Sequence, residues 1–185
     1  MIKLPFISQK IGLWTLVLSF SFLSCSTMAR PHSNPETVPF VDLERYLGTW
    51  YEIASYPQRF SRNCVASQAE YSLRDDGRIR VVNTCRENTF DGKEQSVDGV
   101  AWVVDSESNA KLKVQFQWPF RGDYWVIGLD HDYQWAVVSG PGRRALWILN
   151  RTRQMDPVLL DQILAELEAD GFDLDRLQMT PQPQE

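Results

Sequence analysis

Lys111-Leu112-Lys113-Val114-Gln115-Phe116-Gln117-Trp118 alternates a charged or amide side chain with an apolar one across all eight positions. Successive side chains of an extended backbone point to opposite faces, so this stretch predicts a strand over 111–118. Leu112, Val114, Phe116 and Trp118 share its buried face, and Lys113 and Gln115 lie on the wet one. Turn signals stand on both sides of it, at 106–109 and at Arg121-Gly122-Asp123. Others recur at fairly even spacing: Asp75-Asp76-Gly77, Asp91-Gly92, Asp130-His131-Asp132 and Gly140-Pro141-Gly142. Gly, Asn, Asp and Pro punctuate chains because they supply the dihedrals and local hydrogen bonds of tight turns. About eight short strands in succession, with no helix between them, predict an all-β up-and-down barrel or a sandwich. Residues 124–129 and 145–150 are apolar on both faces, as strands covered on their outer side would be.

The cover is a helix near the C-terminus. Asp156 caps its start, Pro157 suits the first turn and Gly171 closes it, which predicts a helix over 157–170. Leu160, Ile163, Leu164 and Leu167 recur at helical spacing opposite Asp161, Glu166 and Glu168. That polar face is acidic, so the helix is expected on the barrel wall rather than on an anionic bilayer.

The N-terminus reads differently. Lys3 and Lys10 precede an uncharged run from Ile11 to Phe22, too short for a comfortable span and without charged stop-transfer flanks. Residues 1–24 are expected to be an export signal; a retained anchor helix is the alternative. Phe22-Leu23-Ser24-Cys25 resembles the lipobox of bacterial lipoproteins, in which the Cys is acylated and becomes the new N-terminus. Ordinary cleavage near Ala29 is the other reading. Cysteine arithmetic favours lipidation of Cys25, because it leaves Cys64 and Cys85 as an even pair in an oxidising compartment. Those two sit about equally far from the Asp75-Asp76-Gly77 turn, so a cross-hairpin disulfide is expected. Strict alternation puts them on opposite faces, and a bulge or an irregular strand end is needed to join them. Residues 25–39, with Pro31, Pro35 and Pro39, are expected to form a flexible tether. The formal charge is −5. Removal of Lys3 and Lys10 with the signal leaves 17 basic against 24 acidic side chains, a net of −7. An acidic chain without a basic patch argues against nucleic-acid binding.

The segments at the two ends of the expected sheet then narrow the fold. Gly48-x-Trp50, within Tyr46-Leu47-Gly48-Thr49-Trp50-Tyr51-Glu52-Ile53-Ala54, opens it, and Trp147-Ile148-Leu149-Asn150-Arg151 closes it. With Tyr71-Ser72-Leu73-Arg74-Asp75-Asp76-Gly77 between them, the sequence resembles the lipocalin family. It is closest to the bacterial group of outer-membrane lipoproteins and more distantly similar to apolipoprotein D. The resemblance covers residues 40–178, leaving 179–185 as a tail. Around Gly128-Leu129-Asp130-His131-Asp132-Tyr133 the family's middle signature lacks its usual Thr before Asp130.

The resemblance implies an eight-stranded antiparallel up-and-down barrel with one C-terminal helix on its wall. Gly48, Trp50 and Arg151 are expected to close one end structurally, the guanidinium lying over the indole. Counting alternate residues from the resemblance places Ala69, Tyr71, Ile79, Val81, Val97 and Ala101 inward. Leu112, Val114, Phe116, Trp118, Tyr124, Val126 and Trp147 follow them. The small residues Ala69, Gly99, Ala101 and Gly128 are expected to leave a cavity on that face, with tyrosine hydroxyls near the mouth. Glu52 is inward by parity with Trp50, and must then be hydrogen-bonded, hydrated or protonated.

This resemblance implies a carrier of fatty acids or lysophospholipids for storage or transport in envelope maintenance, at the outer membrane of a Gram-negative bacterium. A pigment carrier and a barrel enzyme acting on lipids are the alternatives, and a homodimer stays open. No catalytic residue, cofactor or metal is expected. His32 falls in the tether and His131 in a polar turn, and no Gly-x-Ser-x-Gly, His-Glu-x-x-His or Cys-x-x-Cys motif occurs. The acids of Asp75-Asp76 and of Asp130 and Asp132 are turn formers.

Overall fold

In a computed structural model, which describes residues 34–58, 61 and 63–184, eight antiparallel strands run up and down around a closed barrel. They are β1 (Gly48–Ser55), β2 (Cys64–Leu73), β3 (Ile79–Glu87), β4 (Glu94–Val103), β5 (Lys111–Gln117), β6 (Phe120–Leu129), β7 (Trp135–Ser139) and β8 (Leu146–Asn150). Each pairs with the next, β8 pairs with β1, and β1 pairs back to β2 through Trp50↔Ala69 and Gly48↔Tyr71. Closure leaves no long unpaired edge among these strands. The barrel belongs to the compact unit of residues 32–185. Signal cleavage and the acylation expected at Cys25 lie outside the described residues.

Two apolar clusters follow from the two faces of the sheet. Trp50, Ala69, Tyr71, Val81, Ala101, Leu112, Val126 and Leu149 face the interior. Ile53, Ala54, Val137, Leu146 and Ile148 face outward, where Ile163 and Leu167 of α2 (Pro157–Ala169) cover them. Asp156 caps α2 by accepting from the Val158 and Leu159 amides, as its sequence demanded. Those outer residues explain why β7 and β8 are apolar on both sides.

The strands are not regular, and each irregularity redirects side chains. In β2 the register slips between Val65 and Gln68, where Ala66 adopts a φ of +51°. One extra residue turns Cys64 onto the face of Cys85, and the two form a disulfide. In β6 the slip between Val126 and Gly128 puts Gly128 opposite Val137, against the Trp135 ring. Gly128 therefore lies on the outer face, not on the inner one where alternation placed it.

Both terminal segments are more engaged than expected. Val38 N donates to Val126 O and Val41 N to Ser108 O, so residues 34–41 lie along the barrel instead of forming the free end of a tether. Asp42 then caps the single-turn helix α1 (Leu43–Tyr46), which crosses the end of the barrel beside Trp50. At the other terminus a short strand β9 (Gln178–Met179) pairs with Ala54 and Ser55. Ala66 N donates to Pro181 O, and Gln182 Nε2 donates to the carbonyls of Glu52 and Ser67. Residues 178–182 thus bridge β1 and β2 where those strands part, so the C-terminal segment is partly structural rather than a simple tail.

Candidate functional site

One end of the barrel is sealed. Trp50 is fully buried, its Nε1 donates to Tyr46 O at 2.8 Å, and the Arg151 guanidinium lies 3.8 Å from its ring centre. Arg151 also donates to three backbone carbonyls, those of Tyr133, Thr49 and Arg45. The cation therefore covers the indole and ties together the start of β1, the β6–β7 turn and α1. Gly48 is needed here: its φ is +93°, and a Cβ would stand 3.4 Å from Arg151.

Directly above this floor lie three phenols. Tyr124 Oη is hydrogen-bonded to Tyr46 Oη at 2.8 Å and to Tyr71 Oη at 3.0 Å. Burial pushes the Tyr71 phenol up to about 12 and raises those of Tyr46 and Tyr124 well above the ordinary 10, so all three are neutral at physiological pH. The tyrosines expected at the mouth are thus at the closed end, because Tyr71 pairs with Gly48 and Tyr124 with Leu112. Tyr46, which completes the group, comes from α1.

Ala69, Val81, Ala101, Leu112 and Val126 line the interior with Val114, Phe116 and Trp147, as alternation predicts. Trp118 does not join them. It is 80% exposed, because β5 ends at Gln117 and the chain turns at Trp118 and Pro119 into β6. Nor does Gly99 leave open space: a Cβ there would come within 2.5 Å of the Phe116 ring, which already fills it. Against the floor the remaining cavity is about 20 Å³, room for a water molecule. Toward the opposite end the inner face is less covered. Phe116 and Trp147 are only partly buried there, and Val97 is 40% exposed.

Glu52 brings a carboxyl group to the inner face. Glu52 pairs with Leu149 on the inner face, and the hydroxyls of Ser55 and Thr180 both donate to its Oε1, at 2.9 and 2.6 Å. Its Oε2 accepts no hydrogen bond among the described residues. Burial raises its pKa above the ordinary 4.5 and outweighs the two hydroxyls. A raised carboxyl pKa means stability is greatest below 4.5 and is lost as pH rises through the folded value. Glu52→Gln keeps an oxygen for both hydroxyls and removes the charge. The variant is expected to melt higher than the wild type at pH 8 and about equally at pH 4, a comparison that thermal denaturation reads directly. Asn83 Oδ1 is also buried without a partner among the described residues, in the row of Ala69 and Trp50. Parity had exposed Glu52 in the sequence; Thr180 and Tyr46 gave no comparable signal, since their partners lie far along the chain.

A closed eight-stranded barrel with an apolar interior, a tryptophan–arginine floor and a helix on its wall defines a class, and residues 41–182 match the family model of the lipocalin-like domain. The chain belongs to the lipocalin family. Temperature-induced lipocalin-1 of Arabidopsis thaliana is 42% identical over 156 residues, 80% of this chain and 82% of that protein. The outer membrane lipoprotein Blc of Escherichia coli K12 is 40% identical over 165 residues, 89% and 92% of the two chains. Apolipoprotein D of Cavia porcellus is more distant, 33% identical over 80% of this chain and 81% of its own. Among solved structures, insecticyanin from the tobacco hornworm Manduca sexta shares the fold with a TM-score of 0.65 at 18% identity, over 83% of this chain and 86% of its own.

Proposed function

We propose that this lipocalin carries one single-chain lipid, a fatty acid or lysophospholipid, for storage or transport in maintenance of a bacterial outer membrane to which acylated Cys25 anchors it. The observation that carries this reading is the inner face itself: apolar side chains from successive strands, sealed at the floor and uncovered toward the other end. A dozen buried methylenes give roughly 10 kcal/mol gross, enough for micromolar binding after ordering and association costs. The acyl chain takes its space by swinging the Phe116 ring off Gly99, since the cavity against the floor is too small for it. Glu52 Oε2 and Asn83 Oδ1 supply acceptors along the wall. The relatives named outer membrane lipoproteins support the anchor and location.

Native mass spectrometry of the protein gently extracted from its own cells tests the reading. One added mass in the range of a single-chain lipid per protein is expected, and bare protein alone counts against it. Cys25→Ser is expected to move the protein from the membrane to the soluble periplasmic fraction; attachment that survives the substitution removes the anchor from the account.

A further inference from the structure

The end of the barrel opposite Trp50 carries its own pattern. The β3–β4 turn (88–93) and the β5–β6 turn (118–119) both lie at that end, beyond the ends of the neighbouring strands β4 and β5. From them Trp118 is 80% exposed, Phe120 72% and Phe90 46%. Three large aromatic side chains offered to water at this one end, around an apolar interior, mark an interaction surface.

Charge divides between the two ends in the same sense. At the open end, turns 88–93, 118–119 and 140–145 hold Lys93, Arg143 and Arg144 against Asp91, a net of +2, and Arg121 follows the rim residue Phe120. At the floor end, turns 74–78, 104–110 and 130–134 hold Arg74 and Arg78 against Asp75, Asp76, Asp105, Glu107, Asp130 and Asp132, a net of −4. Leu73 and Val104 are exposed there too, but among those acids. The end that exposes Trp118, Phe120 and Phe90 is thus the basic end of an acidic protein.

The course of the N-terminal segment gives the third observation. Asn34 Oδ1 accepts from Gly142 N in the β7–β8 turn at the open end, whereas Val41 reaches Ser108 at the floor. Asn34, the first described residue, is thus at the open end. Cys25 precedes it by nine positions, at most ~30 Å of fully extended chain.

We propose that the open end docks on the surface of an anionic phospholipid bilayer, with Trp118, Phe120 and Phe90 seated among the head groups and the basic turns beside them. The lumen then opens onto the membrane, and a lipid passes between bilayer and barrel without crossing water. Aromatic rings favour the interfacial region, and Lys and Arg are drawn to anionic lipid. The inference rests on the carrier reading for its purpose, and on the rim, charge and chain path for its geometry.

The test uses the mature acylated protein in mixed phosphatidylethanolamine and phosphatidylglycerol vesicles containing acyl-brominated phospholipid. Emission from Trp118, taken as wild type minus Trp118→Phe, is expected to be quenched by the bromines. Trp118→Ser/Phe120→Ser is expected to slow lipid transfer from vesicles about tenfold at unchanged equilibrium affinity and melting temperature, since both side chains are exposed in the free protein. Trp118 emission indifferent to bromine while lipid still binds overturns the docking and leaves the carrier reading intact, as does a Trp118 shielded only by a second copy of the chain. Quenching of Trp118 in a protein that binds no lipid supports docking and defeats the carrier.

Discussion

Trp50→Ala is expected to lower the unfolding free energy by about 3–5 kcal/mol, the cost of removing a large ring from a site that cannot collapse around the loss. Trp50 is fully buried between the Tyr46 ring and the Arg151 guanidinium, with centroid and centre distances of 5.0 and 3.8 Å. Its removal also strands the Tyr46 carbonyl that its indole N–H satisfies. Arg151→Ala is expected to cost less, about 1–3 kcal/mol, because water can replace part of its hydrogen bonding to the three carbonyls. Equilibrium urea denaturation of both variants measures the difference. Wild-type midpoints in both would mean that this end is not closed by the pair.

Val114→Asp is expected to weaken lipid binding about a hundredfold or more, the equivalent of roughly 3 kcal/mol for an unpaired carboxylate in an apolar lining. Val114 lies opposite Ala101 and Gly122 on the inner face, among apolar side chains. Lys113 is one residue away and on the outer face, paired with Asp123 at 2.6 Å. Lys113→Gln breaks a partly exposed ion pair, about 0–1 kcal/mol of stability, and is expected to leave affinity unchanged. Titration of both variants, followed by Trp147 fluorescence, separates a lumenal site from a surface one; equal losses contradict a lumenal site.

These residues also show how far alternation carries. Leu112, Val114 and Phe116 were legible as one face because β5 is regular through Val114 and its partners Tyr124 and Gly122 keep step. Trp118 was misplaced although Pro119 stood next to it, a residue that cannot continue a central strand. Gly128 failed for another reason: one extra residue inverts every face beyond it, and Ile127 is not a residue type that advertises a bulge. At Cys64 the expected disulfide itself required such an irregularity, and the slip at Ala66 supplies it. The floor was legible because Gly48, Trp50 and Arg151 are distinctive residues at the ends of the sheet. The phenol group and the Thr180–Glu52 bond were not, because each joins segments separated by 53 to 128 positions. The rim aromatics were equally silent: a Phe in a turn reads the same whether it folds inward or faces solvent.

The most direct test of the lipid-binding interior is a titration of the wild-type protein with lysophospholipids of increasing chain length, kept below their micellar range. The account predicts saturation at one lipid per barrel, with affinity rising by a few tenths to about 0.8 kcal/mol per added methylene. Binding that never saturates, or an affinity indifferent to chain length, would contradict it.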